Sequence, residues 1–176
     1  MIEEIHLIPS ILFAWLALGA ATLFTIIFYL DSLTHLRILE TDISDKELQT
    51  HRLILLSSIA MEGSLILFYW SPWLALPIFL ACFLTRTTHE FIDEIKYHSD
   101  RCTPQENWIH LGMWITVMIK TFTLFIWGFF TQYHGILELP NYIYIWALLV
   151  FIGMLYVSQK ELLQAALKKR MIAKNK

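Results

Sequence analysis

Long apolar stretches constrain the fold of this chain more than any other feature of its sequence. Each of five segments carries an apolar core of about 20 residues, the length of helix that crosses roughly 30 Å of hydrocarbon. Hydrophobic residues make up 57% of the 176 residues and charged residues only 16%, whereas about a quarter of a typical soluble domain is charged. So much apolar surface needs lipid or partner protein to cover it. The sequence therefore predicts an all-α, polytopic membrane helix bundle.

Turn and capping signals divide the chain into five transmembrane helices within one membrane domain, residues 1–176. Ser44 to Glu47 and Thr103 to Glu106 both read as capping boxes, which mark the first turns of two helices. Pro72 follows Ser71 and stands where the start of a helix tolerates proline. Short connections make neighbouring helices antiparallel. The predicted helices cover residues 8–40, 45–70, 72–99, 104–132 and 141–170.

The basic residues predict how these helices are oriented. Of the 13 Lys and Arg residues, all but Lys120 belong to the side of the bundle that holds the turns near 42 and 101 and the C-terminus. The positive-inside rule makes that side cytoplasmic and puts the N-terminus outside. The first residues, Met1 to Glu4, are acidic rather than basic, so we expect no cleavable signal peptide. The expected location is a bacterial inner (cytoplasmic) membrane.

Histidines and carboxylates from four of the predicted helices fall at one depth, near the cytoplasmic ends. Counting residues back from the cytoplasmic turns places seven such side chains in a slab roughly 6 Å thick. Imidazole and carboxylate groups that converge between helices bind metal ions, and this mixed donor set suits iron, manganese or zinc. The sequence therefore predicts a metal site, with iron as the first expectation. Its expected ligands are His35, His51, His89, His110, Asp31, Glu90 and Asp93.

Two other interpretations of this layer stand beside the metal site. A b-type haem needs two axial histidines, which His51 with His89 or His110 would supply. Polar residues at wet helix ends also need no function at all. The residues closest to the turns, Glu94, His98 and Glu106, are expected to be solvated or to cap helices.

A second polar layer lies near the middle of the bundle. Glu62 and Lys120 are at matching depths, and a lone charge there is costly, so each is the expected partner of the other. Such a pair either does chemistry or fixes the register of two helices. Arg86, close to the expected ligands, would bind an anionic headgroup or orient a carboxylate. We expect Arg86, Glu62 and Lys120 to be the catalytic side chains.

These layers favour a membrane-embedded, metal-dependent enzyme over the alternatives. With iron the reaction would be oxidative, on a lipid-like substrate or quinone at the cytoplasmic face; with zinc it would be hydrolytic. One alternative is an ion- or proton-coupled transporter that uses the Glu62–Lys120 pair. Another is a structural subunit of a larger membrane complex. The expected partners are membrane lipid, the small lipid-like molecule and a homo-oligomer or larger complex, but not nucleic acid, because the net charge is only −2.

Overall fold

Five long helices account for most of the chain. The structure is a computed structural model that describes residues 5, 7–38, 44–98 and 103–174, and, within those ranges, the side chains of all but residues 34–38, 45 and 160–174. No β-strand occurs in these ranges. A short 3₁₀ turn, Ile136–Glu138, precedes the last helix. The helices are α1 (Ser10–Ile38), α2 (Asp45–Leu67), α3 (Pro72–Asp93), α4 (Pro104–Thr131) and α5 (Asn141–Lys174).

Three of the helices contain a segment long and apolar enough to cross a membrane, consistent with an integral membrane protein. The segments are Ser10–Leu33, Pro104–Thr131 and Asn141–Gln159. Helices α2 and α3 do not meet this criterion; charged residues occur at both the start and the middle of α2, and in the last third of α3. For the described residues, the prediction of an all-α protein with helices able to cross a membrane is confirmed.

Local capping explains where two helices begin. The backbone N–H of Glu47 donates to the Ser44 hydroxyl at 3.2 Å, and the backbone N–H of Ser44 donates back to the Glu47 carboxylate at 3.4 Å. Thr103 and Glu106 form the same reciprocal pair at the start of α4. Both capping boxes predicted from the sequence are therefore confirmed, and they fix the starts of α2 and α4.

The C-terminal end of α3 departs from regular α-helical geometry. After Asp93 the backbone passes into a π-helical turn, Glu94–His98. Such turns insert an extra residue into the helix and are common at functional sites. The inserted residue changes the direction in which the following side chains point, which regular helical spacing does not anticipate.

The helices pack as two sets, which contact each other at both ends and near the middle. Helix α2 packs on α3, whereas α1 packs on both α4 and α5. At the end away from the π turn, an aromatic cluster joins the sets, with Phe68 against Phe125 and Phe129 at ring-centroid distances of 5.6 and 5.8 Å. There the Tyr133 hydroxyl donates to the carbonyl of Leu65 at 2.8 Å. Burial, helped by the charge of Glu62, raises the pKa of Tyr133 far above its ordinary value.

Candidate metal centre

The first turns of α2 direct two side chains into the space between the helices. Glu47 and His51 are four residues apart and so share one face of α2. Glu47 is only 3% exposed. Its Oε2 accepts the capping hydrogen bond from Ser44, whereas its Oε1 lies 4.0 Å from Nε2 of His98. The capping box therefore holds the Glu47 carboxylate in place while one oxygen faces the histidines.

The end of α3 and its π turn supply three more groups. Both carboxylate oxygens of Asp93 lie 3.1 Å from Nε2 of His51. The His98 ring is 6% exposed, with its Nε2 3.8 Å from Oδ2 of Asp93. On the opposite edge of the ring, Nδ1 lies 3.7 Å from Oε2 of Glu94. His98 thus presents one ring nitrogen to each of two neighbouring groups of donors.

Helices α1 and α4 close the other side of the cluster. His110 Nδ1 lies 2.9 Å from Oε2 of Glu94, and its Nε2 lies 3.3 Å from Oδ1 of Asp31. The rings of His98 and His110 are 4.8 Å apart between centroids. Asp31 is 5% exposed, so its carboxylate is positioned to orient the His110 ring. We refer to Asp31, Glu47, His51, Asp93, Glu94, His98 and His110 together as the His/carboxylate cluster.

Two groups within this cluster have the geometry of a metal site. Glu47, His51 and His98 form the first, and Glu94, His98 and His110 form the second. Within each group the donor atoms lie within 4.8 Å of one another, and His98 belongs to both. Nitrogen and carboxylate oxygen in this combination suit iron, manganese or zinc. Each of the two groups could therefore hold a metal ion.

Four of the side chains expected as ligands come together in this cluster: Asp31, His51, Asp93 and His110. Two others, His89 and Glu90, do not join it among the described contacts. His89 turns back on its own helix, with Nδ1 2.8 Å from the carbonyl of Thr85. Glu90 forms an ion pair with Arg86, one turn away on α3. The side chain of His35 lies outside the described part of the chain.

Three members of the cluster, Glu47, Glu94 and His98, were missed by the sequence analysis. The expectation that His98 is solvated or capping is wrong, since the ring is buried. Glu47 and His51, and likewise Glu94 and His98, are each four residues apart, and this spacing was the available signal. Counting depth from a regular helix end placed His98 too near solvent, whereas the Glu94 side chain is 45% exposed, as expected.

The second polar layer also forms contacts. Lys120 of α4 pairs with Glu62 of α2, and Lys120 is only 7% exposed. Arg86 is 4% exposed and interacts electrostatically with both Glu90 and Glu62. Arg86, Glu90 and Asp93 follow one face of α3 at helical spacing. Charged groups therefore extend along α3 from the cluster to Arg86, about two turns away.

Comparison with models of known protein families, with curated proteins and with solved structures found no match for this chain. The functional argument therefore rests on the geometry of the site.

Proposed function

We propose that this protein is a membrane-embedded, metal-dependent enzyme, an iron oxidoreductase that acts on a lipid-like substrate at the cytoplasmic face. The observation that carries the proposal is His98, whose two ring nitrogens face two separate groups of nitrogen and oxygen donors. To ligate both ions the ring would have to lose its N–H proton and bridge them as an imidazolate, a form that a cation on each edge stabilises.

Each ion would have its own set of ligands. Glu47, His51, Asp93 and Nε2 of His98 would hold the first. Glu94, His110 and Nδ1 of His98 would hold the second, with Asp31 as the carboxylate that orients His110. Metal–nitrogen bonds of about 2.0 Å on both edges of one imidazole put the ions roughly 6 Å apart.

Charge supports two ions rather than one. The cluster contains four carboxylates, Asp31, Glu47, Asp93 and Glu94, which are largely buried except for Glu94. Buried carboxylates without compensating charge are costly. Two divalent cations would balance the four carboxylates and leave one formal negative charge, that of the bridging His98 imidazolate, and mixed nitrogen and oxygen ligation is what iron(II) accepts readily.

The surroundings of the cluster fit a substrate that arrives from the bilayer. On α3, Phe91 and Ile92 are 56% and 38% exposed, and Ile95 of the π turn is 71% exposed. These apolar side chains flank Asp93 and Glu94 directly in sequence. A lipid-like molecule would therefore reach the ions along an apolar surface, and the ions would supply the redox chemistry.

We also propose that the chain crosses a bacterial inner membrane five times. Its N-terminus would lie outside and its C-terminus in the cytoplasm. At 1.5 Å per residue, α2 and α3 are each about 33 Å long, enough to cross a bilayer. They lie alongside α1 and α4, because Tyr133 contacts Leu65 at one end and His110 contacts Glu94 at the other. The polar faces of α2 and α3 would be turned towards the bundle interior.

Elemental analysis of the protein purified from membranes tests the proposed function. We expect about two iron ions per chain, and loss of both in His98→Ala because the two groups share this ring. His89→Ala is the matched control: it removes a histidine of α3 that lies outside the cluster, and its iron content should stay unchanged. Absence of near-stoichiometric iron, manganese or zinc would sink the proposal, and two zinc ions would replace the oxidoreductase by a hydrolase.

A second candidate function, ion- or proton-coupled transport, is favoured by the Glu62–Lys120 ion pair between α2 and α4. Under this hypothesis Glu62→Gln abolishes flux in liposomes and leaves the metal content unchanged. Glu138→Gln, in the exposed loop before α5, is the control and should leave flux unaltered. Flux that persists in Glu62→Gln would remove this candidate.

A further inference from the structure

One turn of α3 carries three buried side-chain atoms that have no hydrogen-bond partner among the described residues. They are Nη1 of Arg86, Oγ1 of Thr87 and Oε2 of Glu90. Arg86 as a whole is 4% exposed, and its other terminal nitrogen, Nη2, donates to Oε1 of Glu90. Buried polar atoms in native proteins are nearly always satisfied. This turn therefore offers a cationic donor, a hydroxyl and a carboxylate acceptor to a ligand.

The charge around this turn favours a neutral ligand. Arg86 is paired with Glu90, and the nearby Glu62 is paired with Lys120, so the two ion pairs sum to zero. A full anion or cation added here would be buried without a counter-charge, which is costly. A neutral group with hydrogen-bonding capacity would instead use the three atoms without that cost.

Aromatic side chains line the adjacent turn of α3. The ring of Phe83 stacks on that of Phe79 at a centroid distance of 5.8 Å and meets the ring of Phe122, from α4, at 5.9 Å. Phe83 lies three and four residues before Arg86 and Thr87, so it shares their side of the helix. Phe122 is 48% exposed, which opens this wall towards the bilayer. Stacked and edge-on ring contacts are the surroundings that suit a planar ring.

We propose that this turn binds the ring of a quinone or quinol. Arg86 Nη1 and the Thr87 hydroxyl donate to a ring carbonyl, whereas Oε2 of Glu90 accepts from a hydroxyl of the reduced form. The aromatic wall contacts the ring face. Arg86 lies seven residues from Asp93, about 10 Å along the helix, so the ring is held next to the His/carboxylate cluster. This inference names the substrate class of the proposed oxidoreductase and rests on that proposal for its catalytic meaning, although the binding itself needs no metal.

Thr87→Val is the most informative variant, because it removes only the hydroxyl. Since Oγ1 of Thr87 has no protein partner in the described chain, the substitution should leave stability unchanged. Loss of one hydrogen bond to the ligand should weaken binding about threefold to tenfold. Thr88→Val is the matched control: it makes the same change one residue along α3, at an exposed position. Phe83→Leu, which removes one ring of the wall, should also weaken binding.

The experiment is equilibrium binding of decyl-benzoquinone to metal-stripped protein in nanodiscs, with empty nanodiscs subtracted. We expect saturable binding at about one quinone per chain, weaker in Thr87→Val and Phe83→Leu and unchanged in Thr88→Val. Absence of saturable binding overturns the inference, as does wild-type affinity in Thr87→Val. Displacement of the quinone by laurate at equal concentration also overturns it, because the turn would then bind a carboxylate lipid.

Metal analysis of the same preparations before stripping separates this inference from the proposed function. Quinone binding in a protein that holds no metal when purified would support the quinone site and contradict the proposed metalloenzyme. Two iron ions per chain without saturable quinone binding would do the reverse.

Discussion

A single imidazole ring, that of His98, contacts both halves of the His/carboxylate cluster. Its Nε2 faces Glu47 and Asp93, and its Nδ1 faces Glu94. His51 pairs with Asp93 in the first half, and His110 pairs with Glu94 in the second. Removal of His98 should therefore affect both halves of the cluster, whereas removal of His51 or His110 should affect one.

Single replacement of His51 or of His110 should remove one of the two proposed ions. His51→Ala takes one nitrogen from the first group, and His110→Ala takes one from the second, while His98 stays in place. We expect about one iron per chain in either variant by elemental analysis, against about two in the wild type. Equal loss of both ions in His51→Ala and His110→Ala would show that the ligands form one indivisible site.

At the scale of a helix, the capping box of α2 links stability to the site. Glu47 receives the capping hydrogen bond of Ser44 through one oxygen and faces His98 through the other. Helix α4 has an equivalent box, Thr103 with Glu106, whose carboxylate belongs to neither group of donors. The two boxes therefore form a natural pair for comparison.

Ser44→Ala should lower both stability and metal affinity. Loss of an N-cap costs about 1 kcal/mol of unfolding free energy, and it also frees the Glu47 carboxylate. Thr103→Ala should cost a similar amount of stability with no change in metal affinity. Thermal unfolding in detergent and metal titration of the stripped protein measure the two effects. Equal metal affinity in Ser44→Ala and wild type would contradict a ligand role for Glu47.

Helix geometry also explains how much of the fold and of the cluster could be predicted from the sequence. The capping boxes of Ser44 and Thr103 fixed where α2 and α4 begin, and residue counting brought Asp31, His51, Asp93 and His110 to one depth. Counting could not find the π turn, which shifts His98 inwards, because no local sequence signal marks the extra residue. The direction of each side chain was the second limit on the prediction. His89 lies at the expected depth, but its ring points back along α3.

At the junction between the helix sets, Gly128 lies close to the ring of Tyr133. A Cβ at Gly128 would lie 2.7 Å from the ring of Tyr133. Gly128→Ala should therefore displace Tyr133 and destabilise the protein by about 1–3 kcal/mol. Gly63→Ala is the matched control, because nothing lies within 4 Å of its Cβ position. Thermal unfolding of both variants checks this, and equal melting temperatures would contradict the packing described here.

For the whole molecule, the proposed five spans would place the two ends of the helices on opposite sides of the membrane. The 3₁₀ turn after α4 would face outwards, and the first turn of α2 would face the cytoplasm. Leu137 and Gln49 are exposed positions in these two regions. They report the orientation without touching the cluster.

Cysteine labelling from outside intact cells tests that orientation. In a background without native cysteines, Leu137→Cys should react with a membrane-impermeant maleimide. Gln49→Cys should react only after the cells are opened. The opposite pattern would invert the topology, and reaction of both from outside would contradict five spans.

Anomalous scattering at the iron absorption edge, from crystals of the purified protein, tests the central claim most directly. The proposal predicts two peaks about 6 Å apart, on either side of His98, one beside Glu47 and His51 and the other beside Glu94 and His110. A map with no peak in the His/carboxylate cluster, or with its peak beside His89, would contradict it.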